Sequence, residues 1–352
     1  MIDTINCNLE GLVLHKVGNK YENENIHFSH SPLIIEDPTV RIPLLKFFTS
    51  PFKSSEYFNF YHEIDINMNE VFTCVSKIFD DPEILLEQSI NLAKHLYEQS
   101  VHPKIKSGEF YVVYFKNCMI DGNTVDAIGL FKSENKEIFL QIHTANDGFE
   151  IESQQGININ KLDKGCFIFN TDKEHGYVVA VVDNTNKGVD AHYWIDDFLH
   201  VRQRQDEYYN THNVMSMYKT FVTKELPQQF EVTKADQAEL INESVKFFKE
   251  KDTFNLDDFG AEVLREPEVI KSFNDFSNKF SYIYLQDKEI ELSDNFTISD
   301  SAVKKQARAF KSIIKLDKNF HIYVHGNNQY IKRGYDEATG MHYYQLFFKE
   351  EL

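Results

Sequence analysis

The chain has 352 residues, long enough for two or three domains at roughly 100–200 residues each. Its 42% hydrophobic content, 14 Gly and 8 Pro predict a globular fold throughout. No apolar run reaches ~18 residues and no charged, hydrophobic, small-residue pattern opens the chain, so neither a membrane span nor a signal peptide is expected and the expected location is the cytoplasm. With 37 Lys and Arg against 55 Asp and Glu, a formal charge of -18, most of the molecule repels polyanions and any nucleic-acid contact has to be local.

In chain order, LEGLVLHKVG reads as a strand and NKYENEN as a loop. A helix is expected from about Pro38 to Phe48, with Val40, Leu44, Leu45 and Phe48 on one side and Pro43 near its start. EYFNFYH reads as a strand. MNEVFTCVSKIF and PEILLEQSINLAKHLYEQS read as helices, the second opened by Asp81 as N-cap with Pro82 at the first helical position. From Ser107 the apolar period changes to two. EFYVVYFKNCMI, TVDAIGLFKS, EIFLQIHT, GFEIES, GCFIFN and GYVVAVVD form six strand candidates joined by short turns, a pattern that predicts an antiparallel meander. WIDDFLHV leads into a helix over Gln205 to Lys224, with Val214, Met217, Tyr218 and Phe221 at helical spacing.

LPQQFEVT, containing Pro227, marks the expected division. The fold class is then α+β: residues 1–226 form a mixed domain with an antiparallel sheet and helices, and residues 227–352 a smaller domain of helices ending in a few antiparallel strands. Its helices are ADQAELINESVKFFKEK, NLDDFGAEVLR, PEVIKSFNDFSNKF and ISDSAVKKQARAFK. The last has Ser299 as N-cap, Val303, Ala307 and Phe310 on one stripe, and Lys304, Arg308 and Lys311 on another. SIIKL, FHIYVHG, QYIKRG and HYYQLFF follow as strands.

Charge singles out this end. Residues 296–335 hold eight Lys and Arg against Asp300 and Asp317, a net of +6, so the rest of the chain sums to -24. Lys304, Lys305, Arg308, Lys311, Lys315, Lys318, Lys332 and Arg333 are the candidate phosphate contacts, against the plainer reading of a solvated face on an acidic protein. VRQRQDEYYNTHNVMSMYK is a second candidate, in which Arg202, Arg204 and Lys219 lie near Tyr208 and Tyr209.

Catalytic and metal signatures are weak. His321 and His325 stand four apart in a strand pattern, about 13 Å at ~3.3 Å per residue, too far for one ion. Asp196–Asp197 and Asp257–Asp258 are adjacent carboxylates better read as surface or helix N-terminal charge. Asp126, Glu134 and Lys136 faintly match a nuclease core, but SENK is a better hairpin turn. Neither an enzyme nor a cofactor is expected. Cys7, Cys74, Cys118 and Cys166 are scattered, which predicts four reduced, inert thiols. Thirty Phe and eighteen Tyr predict an aromatic-heavy core.

Several segments together carry a resemblance. SAVKKQARAFKSIIKLDKNFHIYVHG, closed by YIKRGYDEATGMHYYQLFF, resembles the C-terminal end of the bacterial nucleoid-associated protein family of the NdpA/YejK type. GININKLDKGCFIFNTDKEHGYVVAVVDN followed by WIDDFLHVRQRQDEYYNTHNVMSMYKTFV is similar to its middle strands and following helix, and NCNLEGLVLHKVGN to its opening strand. The resemblance implies association with the nucleoid and with DNA; with the basic segment beside it, the expected function is non-catalytic binding of double-stranded DNA through phosphate contacts, largely without sequence preference. The alternative is an adaptor that binds nucleoid or DNA-processing proteins, a topoisomerase for example, and meets DNA indirectly. Association with further copies of the chain stays open.

Overall fold

The structure is a computed structural model, and it describes residues 2–3, 7–145, 148–185, 192–284, 293–310, 313–324 and 330–350. The chain packs as two compact units, Met1–Arg204 and Gln205–Leu352. The α+β class is as the sequence predicts.

The first unit is built on one antiparallel sheet. Its strands are β1 (Ile2–Asp3), β2 (Asn8–Val17), β3 (Phe58–Phe60), β4 (Gly108–Ile120), β5 (Asn123–Ser133), β8 (Lys164–Phe169), β9 (Val178–Asp183) and β10 (Val201–Gln203). The order is β1-β4-β5-β8-β9-β3-β10, with β2 also paired to β4. Helices α1 (Pro38–Thr49), α2 (Glu70–Asp80) and α3 (Leu85–Gln99) supply its covers. The near-continuous apolar run of β4 follows from burial on both faces. Phe110, Val112 and Tyr114 join Val71, Val75, Leu92 and Leu96 of α2 and α3 in one core, while Tyr111, Val113 and Phe115 join Phe47 and Phe48 of α1 in another. Asp121 and Gly122, at φ 48° and 82°, form the two-residue turn between β4 and β5, the left-handed geometry that a tight hairpin requires.

Three expectations are corrected in this unit. The six strands all form, but not as one meander: β6 (Glu137–Ala145) and β7 (Gly148–Gly156) pair only with each other and leave β5 to pair with β8. In α1, Phe47 and Phe48 are buried and Leu44 and Leu45 pack half-buried against the same core, whereas Val40, expected on that side, is exposed. Cys7 and Cys118 are joined as a disulfide rather than standing as separate thiols. The register Asn8↔Lys116, with an irregularity in β4 before Cys118, brings their Cα atoms to 4.5 Å across 111 residues of sequence. Cys74 and Cys166 are free, and burial raises both thiol pKa values, that of Cys74 to about 11.

The second unit comprises α4 (Glu207–Thr220), α5 (Leu226–Gln229), α6 (Lys234–Glu250), β11 (Thr253–Asn255), α7 (Leu256–Phe259), α8 (Pro267–Tyr284), β12 (Asn295–Thr297), α9 (Asp300–Ala309), β13 (Ile313–Leu316), β14 (Phe320–Tyr323), β15 (Ile331–Asp336) and β16 (Met341–Leu346). Met215, Tyr218 and Phe221 pack with Phe247, Phe248, Phe259, Phe273, Val303 and Phe310 in one core. The division in packing falls at 204/205: the apolar face of α4 belongs to the second core, and Pro227 sits inside a short helix. Among the described residues no helix is long and apolar enough to cross a membrane.

Candidate nucleic-acid interface

Helix α9 is amphipathic as its spacing predicts. Ala302, Val303, Gln306 and Phe310 are buried, Ala307 is half-buried, and Lys304, Lys305 and Arg308 are exposed. Its inner face lies on α4, where Gln306 Nε2 donates to Ser216 Oγ at 3.0 Å. Ser299 occupies the N-cap position without capping. Its backbone N–H donates to Thr211 Oγ1 at 2.9 Å and its hydroxyl lies 3.0 Å from that of Ser301. Lys304 and Arg308 have no carboxylate partner among the described residues, and Lys305 Nζ stands 5.5 Å from the ring centre of Tyr208. Lys311 lies outside the described residues.

Two hairpins, β13–β14 and β15–β16, follow. Ile314, Leu316 and Ile322 of the first and Ile331 and Tyr344 of the second pack against Ala235 and Ala238 of α6. Strand alternation then decides where the cations point. Lys315 is exposed on the face opposite Ile314, across from His321, and Tyr323 is exposed on the same side. Lys318 is exposed in the turn at Asp317–Asn319. Lys332 lies on the outward face with Tyr343, its Nζ 5.4 Å from the Phe347 ring centre. Arg333, one residue on, shares the face of Ile331 and Tyr344. The hairpin cations are therefore split between two faces. Tyr323 and Tyr343, 56% and 50% exposed beside Lys315 and Lys332, were legible in the alternation of the strands, yet composition alone assigns such rings to the core.

Of the second basic-aromatic candidate, Arg202 and Arg204 belong to the first unit and Tyr208, Tyr209 and Lys219 to the second. Tyr208 and Tyr209 are buried, Arg202 stacks over Tyr61, and Arg204 Nη1 is 2.7 Å from Asp172 Oδ2. Lys219 stands over Phe310.

The acidic candidates are dispersed. Asp126 accepts from the Tyr114 hydroxyl at 2.7 Å, and Lys136 pairs with Glu109 at 2.6 Å. Asp257 and Asp258 lie in the first turn of α7, after the N-cap Asn255. Asp196 and Asp197 open a one-turn π-helix. His321 is on a strand and His325 lies outside the described residues. Among the described residues no three His, Cys, Asp or Glu gather to hold a metal ion.

Glu134 instead joins a buried ion network that sequence reasoning missed. Its carboxylate accepts from Lys132 Nζ at 3.0 Å, Lys164 Nζ at 3.3 Å and the Tyr193 hydroxyl at 2.8 Å. Lys164 also reaches Asp183 at 3.4 Å, and Lys132 donates to the Lys106 carbonyl at 2.8 Å. Burial opposes charge on every member. For Glu134, two ammonium groups and a hydroxyl outweigh it and hold the carboxyl below its usual range; for Lys132, which shares one carboxylate with Lys164, burial wins and its pKa falls. Every partner is taken, which suits a fastener between β5, β8 and β9 rather than a reacting group.

A search of curated proteins finds no match. A family model described as nucleoid-associated protein YejK matches residues 13–340, nearly the whole chain, so the strands and helices above are those of a nucleoid-associated protein, and the chain belongs to that family.

Proposed function

We propose that this protein binds double-stranded DNA through phosphate contacts made by α9 and the outward faces of the two C-terminal hairpins, with little sequence preference. The reading rests on one observation: Lys304 and Arg308 stand exposed on the outer stripe of a helix whose inner stripe is buried, and neither has a carboxylate partner among the described residues, in a chain of net charge -18. A side chain so placed on an acidic protein is available to an external anion. Lys304 and Arg308 are one helical turn apart, about 6 Å along the axis at ~1.5 Å per residue, close to the spacing of neighbouring phosphates. Phosphates carry no base identity, so such contacts position without specifying.

The test is fluorescence anisotropy of labelled duplex DNA over a salt series. The double variant Lys304→Glu with Arg308→Glu is expected to keep its fold and to flatten the salt slope by roughly 0.9 per lost contact. Parent-like affinity and slope in the folded variant would overturn the reading. The net charge of -24 outside residues 296–335 favours the second reading, an adaptor for nucleoid proteins that meets DNA indirectly. In that case the wild-type protein shows no salt-dependent binding to duplex DNA.

A further inference from the structure

The ribbon β6–β7 has one face that nothing among the described residues of its own unit covers. Its register pairs Ile138 with Gln155, Leu140 with Ser153, Ile142 with Ile151 and Thr144 with Phe149. These residues share one face, and its five large apolar side chains, Ile138, Leu140, Ile142, Phe149 and Ile151, are 65–76% exposed. None of the five belongs to a core of the unit. The opposite face carries every titratable side chain of the two strands, Glu137, His143, Glu150 and Glu152, with Phe139, Gln141 and Gln154 between them. This is the alternation of a half-buried strand pair, drawn on a ribbon that has one half unburied.

We propose that this apolar face packs against the same face of a second copy of the chain, related by a two-fold axis. Three observations select that occupant. A lone two-stranded ribbon is marginal in water, so a cover is needed whenever the chain is folded, and another copy is the partner always present. Copies of a -18 chain repel one another, so they can meet closely only through a surface free of charge, and this face is one. A basic or acidic partner would find no complement on it, whereas an identical apolar face complements it fully. Size agrees as well. At roughly 100 Å² for each large side chain, the face offers on the order of 500 Å² per copy, most of the ~800 Å² per partner of a specific interface. Two ribbons packed face to face would lie about 10 Å apart, as stacked sheets do, with the carboxylates turned to water.

The experiment is the mass in solution of the full chain by sedimentation equilibrium at tens of micromolar. Two chains per particle are expected. Leu140→Glu, on the apolar face, is expected to raise the dissociation constant at least about 100-fold while leaving the thermal unfolding of the monomer cooperative. Gln141→Glu, its neighbour on the opposite face, is expected to leave the dimer intact. Amide exchange of the wild-type protein supplies a readout independent of any variant: residues 137–145 and 148–156 should be protected in concentrated solution and lose that protection on dilution. A monomeric wild type leaves the face to a different partner and overturns the proposal. So does a Leu140→Glu dimer, equal dissociation by Gln141→Glu, or ribbon exchange that does not respond to dilution.

Discussion

Lysine does opposite work in the two units. In the first, Lys132 and Lys164 are 0% and 1% exposed, held by Glu134, Asp183 and Tyr193 and sealed between strands and the Tyr193 turn. In the second, Lys304, Lys315 and Lys332 stand in solvent on elements whose other faces are buried. Burial makes an unpaired charge so costly that the first pair of lysines can exist only with partners, which then consume their capacity to bind anything else. Exposure costs nothing and leaves the charge available, but screened and weak for any one contact. A structural cation and a binding cation are therefore told apart by the carboxylate beside them, and residue type alone does not separate them.

The largest effect should come from breaking the buried side of this comparison. Glu134→Gln removes the carboxylate that two buried ammonium groups share, and a buried ion left without its partner typically costs about 3–5 kcal/mol. Urea unfolding would measure it. The matching change at Glu137, whose pair with Lys161 is 46% and 69% exposed on the two side chains, should cost far less, because solvent screens that pair. Equal losses at the two positions would mean that the buried network does not hold β5, β8 and β9 together.

His15 extends the contrast to a neutral buried base. Its Nδ1 accepts the Ser29 backbone N–H at 3.1 Å, so the proton sits on Nε2, 3.0 Å from Ser89 Oγ, and both nitrogens are engaged in the uncharged form. Burial lowers its pKa to about 4. The unfolded chain, with a His pKa near ~6.5, takes up a proton that the folded chain refuses. Stability present above pH ~6.5 is then lost as the pH falls toward about 4, by on the order of 3 kcal/mol. His15→Gln should show a shallower decline over this window in denaturant titrations, and an unchanged decline would assign the acid sensitivity to other groups.

Much of this was legible beforehand where one local rule decided the outcome. The Asp81 cap with Pro82 after it and the stripe of α9 depend on residues within a turn of each other, and both form as the spacing predicts. What escaped depends on residues far apart in the chain. Glu134 reads locally as part of a hairpin turn, and only the pairing of β5 with β8 brings Lys164 to it. Cys7 and Cys118 are 111 residues apart, and nothing in their neighbourhoods announces the register that joins them; thiol titration of the denatured protein should find two groups, not four. The basic candidates divide the same way. The outward stripe of α9 was readable from a period of 3.6, but Arg204 looks like any other arginine until Asp172 comes to meet it.

That last pair gives the finest test of the comparison. Arg204 is about one-third exposed and its bond to Asp172 helps, after the hydrogen bond from His175, to hold that carboxyl below its usual range. Arg204→Ala should cost about 0.5–1 kcal/mol of stability, the ordinary scale of a solvent-screened ion pair, and leave the salt dependence of DNA binding as it was. Arg308→Ala should do the reverse. Exposed and without a carboxylate partner among the described residues, it should change stability by no more than ~0.5 kcal/mol while flattening the salt slope by roughly 0.9. Both readouts are needed, because a drop in affinity alone could follow from partial unfolding. If Arg204→Ala flattens the slope as much as Arg308→Ala does, paired cations also reach phosphate, and the presence of a carboxylate neighbour no longer separates structural cations from binding ones.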